Sequence, residues 1–122
     1  MNPEFDARRS KNGGRVFWVR KATSANFGDF VQEHPPYDDN VAAVHETMTS
    51  AAAAVVAARG DEVRVGPGHT EEFEKAFCLA VAGVRWVGEG SGNKVPALTI
   101  SGAIHGVAIA ADDVEFENFR FP

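Results

Sequence analysis

The sequence holds little of what disulfide-rich, membrane-spanning or nucleic-acid-binding proteins need. Cys78 is the one cysteine among 122 residues, which excludes a disulfide within the chain. No apolar run approaches the roughly 20 residues that span a bilayer, and residues 1–15 lack the apolar segment of a secretory signal. The 12 basic residues are outnumbered by 17 acidic ones, a net charge of −5, whereas binding to a phosphate backbone needs clustered basic side chains. We therefore expect neither a membrane nor a nucleic acid as partner.

The first part of the chain, residues 1–15, is polar, and we predict that it is a flexible N-terminal arm. It carries the basic cluster of the sequence, formed by Arg8, Arg9 and Lys11. A solvated arm is the simpler interpretation of this cluster. The alternative is an arm that docks on an acidic protein surface, and for this reason we take the three residues as candidates for attachment.

Residues 16–39 are predicted to form a first strand and a loop. The strand is the apolar run Val16–Val19, whose β-branched and aromatic side chains favour β structure. The loop follows from Pro35 and Pro36, because adjacent prolines disfavour both a helix and a central strand. Three strand residues complete the candidate attachment site: Val16, Phe17 and Trp18.

Residues 60–122 contain an internal repeat. Residues 77–90 align without gaps on residues 107–120, thirty positions later, and residues 61–68 match the second half of both copies. Self-similarity at a period of about 20–50 residues is typical of solenoids, in which each repeat stacks on its neighbour.

Within these copies apolar residues alternate with polar ones, which is the period of a strand. Val63 and Val65 lie on one face with Arg64 on the other, and Val114 and Phe116 repeat the pattern. Glycines separate the apolar runs, where the chain must turn. No helical pattern lies between these strands, which argues against alternating strands and helices.

Residues 40–59 carry the helical pattern of the sequence, with one apolar face and a run of alanines. Asp38, Asp39 or Asn40 can cap its beginning, and Gly60 suits a left-handed residue at its end. Because the first copy of a solenoid leaves an exposed end, we predict that this helix caps it. A helix that binds a partner chain is the alternative.

These motifs resemble the opening of a known family. The runs DEVRVGPGHTE over residues 61–71, AGVRWVGEGSGN over residues 82–93 and PALTI over residues 96–100 look like right-handed parallel β-helices of the pectin lyase-like superfamily. The resemblance covers roughly residues 40–122. It implies a mainly β fold, a right-handed parallel β-helix with an N-terminal capping α-helix, of which residues 60–122 are the first coils.

Two kinds of member of this superfamily bear on function. One kind is the enzymes, such as pectate lyases, polygalacturonases and tailspike glycosidases; the other is phage virion proteins that use the fold as a trimeric body. The resemblance implies a non-enzymatic, oligomeric structural protein in the virion of a tailed phage, for head decoration or capsid or tail attachment. Its partners are then other virion proteins and further copies of itself, with a trimer favoured. The alternative is the N-terminal part of a polysaccharide-degrading, tailspike-like lyase or hydrolase.

Candidate chemistry in the sequence is sparse. Glu115 and Glu117 are two residues apart on one strand, which suits a pair of glycosidase carboxylates, but a solvated strand face is the simpler interpretation. His69 with Glu71 and Glu72 could supply metal ligands, although the spacing matches no familiar zinc pattern. We therefore predict no catalytic residue, no metal and no cofactor.

The last predicted strand and the residues after it are rich in phenylalanine. We expect these three phenylalanines to contact a following coil or another subunit, because large apolar residues at an open sheet edge favour association. They are Phe116, Phe119 and Phe121.

Overall fold

A computed structural model of the chain describes residues 13–24, 26–73, 77–79, 81–100, 107–109 and 111–120. The strands are β1 (Val16–Val19), β2 (Val44–His45), β3 (Glu62–Val65), β4 (Thr70–Phe73), β5 (Phe77–Leu79), β6 (Arg85–Gly88), β7 (Ala97–Ile100), β8 (Val107–Ile109) and β9 (Glu115–Glu117). The helices are α1 (Phe27–Glu33), between β1 and β2, and α2 (Met48–Ala54), between β2 and β3. Neither these helices nor the 3₁₀ turn at Gly92–Lys94, within the described ranges, is long and apolar enough to cross a bilayer.

The paired strands are parallel and fall into three sheets. The largest has five strands in the order β2-β1-β3-β6-β9, while β4 pairs with β7 and β5 pairs with β8. After β9 the chain returns to β7, where Arg120 forms a parallel bridge with Ala97.

The predicted fold class is wrong. The described residues form a five-stranded parallel sheet with two helices, an α/β-like arrangement, and no solenoid is found among them. The physical reason lies in the N-terminal third of the chain. There β1 and β2 extend the sheet beyond β3, in the place where the sequence predicts a capping helix.

Both faces of β1 are covered, as is typical of a strand inside an α/β sheet. Phe17 and Val19 belong to the main core, together with Met48 of α2. Val16 and Trp18 point to the other face, where Phe30 of α1 packs against them. Since neighbouring side chains on a strand alternate between faces, α1 and α2 contact opposite sides of the sheet at β1.

The main core also contains buried residues of β3, β6 and β7. These side chains are at most 2% exposed: Val63, Val65, Trp86 and Leu98.

The predicted helix over residues 40–59 is confirmed only in part, because α2 spans seven residues. Thr47 begins it, and the Thr47 side chain accepts a hydrogen bond from the Ser50 amide at 3.1 Å, so none of the three predicted capping residues caps α2. Upstream, the amides of Trp18 and Arg20 donate to the carbonyls of Ala43 and His45, each at 2.8 Å. Pairing with β1 therefore holds residues 43–45 extended.

The loop predicted over residues 22–39 contains α1. No side chain caps its N-terminus, since Asn26 has φ 60° and makes no capping hydrogen bond. Tertiary contacts hold it instead: the Phe30 ring lies edge-on to Trp18, with ring centres 6.2 Å apart. This packing overrides the weak local helix signal.

The internal repeat is confirmed as strand register. Positions thirty residues apart are paired across β5–β8 and β6–β9: Phe77 with Val107, Cys78 with Ala108, Arg85 with Glu115, and Trp86 with Phe116. The third, weaker copy also pairs as aligned, with Glu62 beside Arg85 and Val63 beside Trp86. Self-similarity thus predicts which strands are neighbours, although it does not predict the architecture.

A fully buried carboxylate, Asp61, joins three segments at the start of β3. Its Oδ1 accepts hydrogen bonds from the Arg15 amide at 2.9 Å and from Arg59 Nε at 2.7 Å. Its Oδ2 accepts from the Val56 amide at 2.8 Å and from Arg59 Nη2 at 2.7 Å. The same side chain therefore fixes the start of β1, the segment after α2 and the start of β3.

We expect Asp61→Asn to lower the free energy of unfolding by about 3 kcal/mol, the lower end of the range for one partner lost from a buried ion pair. The amide keeps one acceptor oxygen but presents N–H groups to donors, and the charge of Arg59 is left without its partner. Urea denaturation measures the change. The control is Asp39→Asn, whose ion pair with Arg15 is exposed, and which we expect to leave the midpoint nearly unchanged. Equal midpoints for both variants would contradict this role of Asp61.

Candidate functional site

Five charged side chains from three adjacent strands meet on one side of the five-stranded sheet. Register places Glu62 of β3 beside Arg85 of β6, and Arg85 beside Glu115 of β9. Arg64 and Glu117 lie two residues further along their strands and therefore share the same face. We call these five residues the charged cluster.

Arg85 is the centre of the charged cluster. Its Nη1 donates to Glu62 Oε1 at 3.0 Å, and its Nη2 donates to Glu117 Oε1. Its Nε lies 3.1 Å from Glu115 Oε2. That last contact is an ion pair only, because the buried Nε–H makes no hydrogen bond within the described ranges. One guanidinium thus contacts three carboxylates.

The inner carboxylate of the cluster, Glu62, is almost fully buried, with 2% of its side chain exposed. Arg64 Nε donates to its Oε2 at 2.6 Å, and Arg85 occupies its Oε1. Burial alone raises the pKa of Glu62, but the hydrogen bonds and charges of Arg64 and Arg85 outweigh burial and hold the pKa below its ordinary value. In turn, burial alone lowers the pKa of Arg85, and Glu62 and Glu117 raise it overall.

The outer carboxylates carry the charge that the cluster does not neutralise. Two guanidinium groups face three carboxylates, which leaves one negative charge. The side chains of Glu115 and Glu117 are 51% and 53% exposed, whereas Glu62 is buried. The negative charge therefore lies on β9, the last strand in the order of this sheet.

Phe116 lies within this acidic strand, on the face that packs on the main core, and Phe119 follows two residues after the strand ends. Their rings stack with centres 4.3 Å apart and an angle of 15° between planes. Both are half-buried and pack against the main core. Asn118, between them in sequence, has φ 65° and donates from Nδ2 to the Gly88 carbonyl at 2.6 Å. Contact of these rings with another subunit stays a prediction, and Phe121 lies outside the described residues.

Three of the six predicted attachment residues lie in β1. Val16 and Phe17 are fully buried and Trp18 is 5% exposed. These three residues are core residues and offer no side-chain surface for attachment, which corrects the sequence interpretation. Their burial follows from helices covering both faces of β1. Arg8, Arg9 and Lys11 lie outside the described residues.

The structure gives His69 and Glu71, two of the residues that could supply metal ligands, another purpose. His69 Nε2 lies 2.8 Å from Glu71 Oε1, and both Glu71 oxygens accept from the Met48 amide, at 3.0 and 3.2 Å. Glu71 therefore satisfies the first amide of α2 and is itself contacted by His69, while Glu72 is exposed. Within the described part of the chain, no group of three or more histidine, cysteine or acidic side chains could hold a metal ion.

Comparisons with known protein families, with curated proteins and with solved structures find no match to this chain.

The sequence identifies the outer carboxylates of the charged cluster but misses Arg85. The repeat alignment contains the missing signal, because it stacks Glu62, Arg85 and Glu115 in one column of alternating charge. Opposite charges at directly paired positions of a sheet stabilise each other.

The lowered pKa of Glu62 predicts a loss of stability in acid. Because the folded-state pKa lies below the ordinary value of 4.5, the unfolded chain binds more protons between the two pKa values. The contribution is complete above about pH 4.5 and is lost as the pH falls through the folded-state pKa. Glu62→Gln should therefore lower the free energy of unfolding at neutral pH by roughly 2 kcal/mol and flatten its decline in acid.

Urea denaturation at a series of pH values from neutral to below 4.5 tests this. Glu72→Gln makes the same chemical change at an exposed position and should follow the wild-type curve. A Glu62→Gln curve parallel to the wild type would show that Glu62 is not the group that titrates.

Proposed function

We propose that this chain is a non-enzymatic structural protein that assembles into a homo-oligomer, with the basic arm of one copy on the charged cluster of the next. The observation that carries the proposal is the negative charge at β9, where Glu115 and Glu117 share the single guanidinium of Arg85. The proposed contribution of the arm is the charge of Arg8, Arg9 and Lys11.

The alternation of charge across the sheet supports a basic partner. Glu62, Arg85 and Glu115 stand at paired positions in the order acid, base, acid. A residue of a partner chain placed beside Glu115, on the side away from Arg85, would continue this order if that residue were basic. The arm holds three basic residues within four positions, which more than balances the excess carboxylate.

Such ion pairs would determine partner choice more than affinity. Exposed pairs contribute up to about 1 kcal/mol each, while complementary charge steers association and fixes its register. The half-buried rings of Phe116 and Phe119 pack against the main core. Phe116 lies on the face of β9 opposite to the two carboxylates, because neighbouring side chains of a strand alternate, so the proposed contact depends on charge.

A contact between the arm of one copy and the charged cluster of the next uses two different surfaces of the chain. Contacts of this heterologous kind form rings when the rotation between copies closes, and open filaments when it does not. We propose a closed ring, with a trimer favoured by the resemblance of the sequence to phage β-helix proteins.

The proposed setting is the virion of a tailed phage, with capsid or tail proteins as further partners. Its support is limited to the resemblance of the sequence motifs, which covers roughly residues 40–122, because the fold that the resemblance implies is not the fold of this chain. The polysaccharide-degrading alternative gains nothing from Glu115 and Glu117, since both contact Arg85, and we do not propose it.

Light scattering of the purified chain tests the assembly. We expect a discrete oligomer that dissociates in high salt, because the proposed contact is between exposed charges. A variant with Glu115→Gln and Glu117→Gln and a second with Arg8→Gln, Arg9→Gln and Lys11→Gln should each be monomeric. The control, Glu46→Gln with Glu72→Gln, removes two exposed carboxylates elsewhere and should keep the oligomer.

Mixing the two variants gives the sharper result. Each retains the surface that the other has lost, so an equimolar mixture should form a dimer with one intact contact, whereas neither variant does so alone. Circular dichroism checks that both are folded. A wild-type chain that stays monomeric at every concentration would disprove assembly through the arm and the charged cluster. Variants that keep the oligomeric mass of the wild type would disprove it as well. Cosedimentation with isolated phage heads and tails tests the setting separately, and failure to bind either would argue against it.

A further inference from the structure

A polar cleft lies at the carboxyl ends of β1 and β3, at the opposite end of β3 from Glu62. The order β2-β1-β3 explains its position. After β1, the next strand of this sheet along the chain is β2, which lies beside β1 on the side away from β3. After β3, the next strand of this sheet is β6, which lies beside β3 on the side away from β1. In open parallel sheets, a crevice between two such diverging connections is the usual place for a ligand.

The two connections supply opposite walls of this cleft, which encloses about 250 Å³. Its volume is somewhat below the roughly 300–1,000 Å³ of drug-sized sites, so it suits a small molecule. The polar lining comes from Lys21, Thr23 and Ser24 after β1 and from Gly68, His69 and Thr70 after β3.

Lys21 is the cation that this cleft offers to a ligand. Its Nζ donates to Thr70 Oγ1 at 2.8 Å and so connects the two walls. An ammonium group has three donors, and Lys21 forms no ion pair with any carboxylate in the described part of the chain. The neighbouring Arg20 is engaged elsewhere, since its Nη1 donates to Glu89 at 2.9 Å and its guanidinium lies over the Phe30 ring.

The wall after β3 is held in place before any ligand arrives. The Gly68 amide donates to the Lys94 carbonyl at 2.6 Å, and the His69 carbonyl accepts from the Ala97 amide at 2.9 Å. The His69 ring, 2% exposed, is fixed through Nε2 by Glu71. A prearranged wall lowers the ordering cost of binding.

His69 adds a second observation. Its Nδ1 is buried and has no hydrogen-bond partner among the described residues. Buried polar atoms in native proteins are nearly always satisfied, by protein or by bound water. A bound water beside the ring would remove the deficit, and the anion site proposed below does not depend on this atom.

We propose that this cleft binds a small hydroxylated anion, with a phosphate or carboxylate group on the ammonium of Lys21. The hydroxyl groups of Thr23, Ser24 and Thr70 can donate to the anion or accept from the hydroxyls of the ligand. The site does not depend on the assembly proposed above, because it uses neither the charged cluster nor the arm.

Amide correlation NMR with inorganic phosphate and, in a second arm, acetate tests the site. At constant ionic strength, we expect saturable shifts of amides in residues 21–24 and 66–70. Lys21→Gln should weaken binding at least about tenfold, the scale of one charge-assisted hydrogen bond. Arg120→Gln removes one positive charge from an exposed side chain outside the cleft lining and should bind as the wild type does.

Tighter binding of phosphate than acetate would assign a phosphate-bearing ligand, and the reverse a carboxylate, with either outcome supporting the anion site. Thr70→Val, which keeps the shape but removes the acceptor of Lys21, should also weaken binding in a folded protein. Shifts that do not saturate, that sodium chloride alone reproduces, or that are the same in Lys21→Gln would overturn the proposal.

Discussion

The buried carboxylate of Asp61 is the interaction on which the rest of the structure depends. It accepts two hydrogen bonds from backbone amides, at Arg15 and Val56, and two from the guanidinium of Arg59. These amides belong to the segment before β1 and the segment after α2, which are far apart in sequence. Because an unsatisfied buried amide costs about 1–3 kcal/mol, one side chain fixes where α2 ends and where β1 and β3 begin together.

The charged cluster also consists of ion pairs between carboxylates and guanidinium groups, but its carboxylates outnumber its guanidinium groups. At Asp61 a single carboxylate is matched by a single guanidinium and two amides, and nothing remains for a partner. At β9 two half-exposed carboxylates share Arg85 with the buried Glu62. A balanced, buried ion pair is structural, whereas excess charge at an exposed strand is what a complementary chain can recognise. This contrast supports the proposal that the charged cluster takes part in assembly, while Asp61 has a structural role.

The sequence predicts the strands of the repeat better than the rest of the fold. Register follows from the repeat alignment, because aligned positions such as Trp86 and Phe116 carry similar side chains and are paired in the sheet. The sequence does not predict β2, because Val44 also fits the helical spacing of residues 40–59. Only the pairing of Val44 with Trp18 decides that this residue lies in a strand and not in a helix. The alignment places Arg85 between two acidic positions, but only the structure shows that its guanidinium contacts three carboxylates. The repeat therefore indicates which strands are paired, whereas the packing of the two helices on β1 depends on contacts between residues far apart in sequence.

The part of the fold that the sequence does not predict is also the part that creates the cleft. If strands were added to the sheet in one direction only, successive connections would leave it the same way, with no crevice between them. Because β2 lies on one side of β1 and β3 on the other, the connection bearing Lys21 and the connection bearing Thr70 diverge and then meet through one hydrogen bond. A short strand of two residues, held by backbone bonds to β1, thus determines where this chain can hold a small ligand.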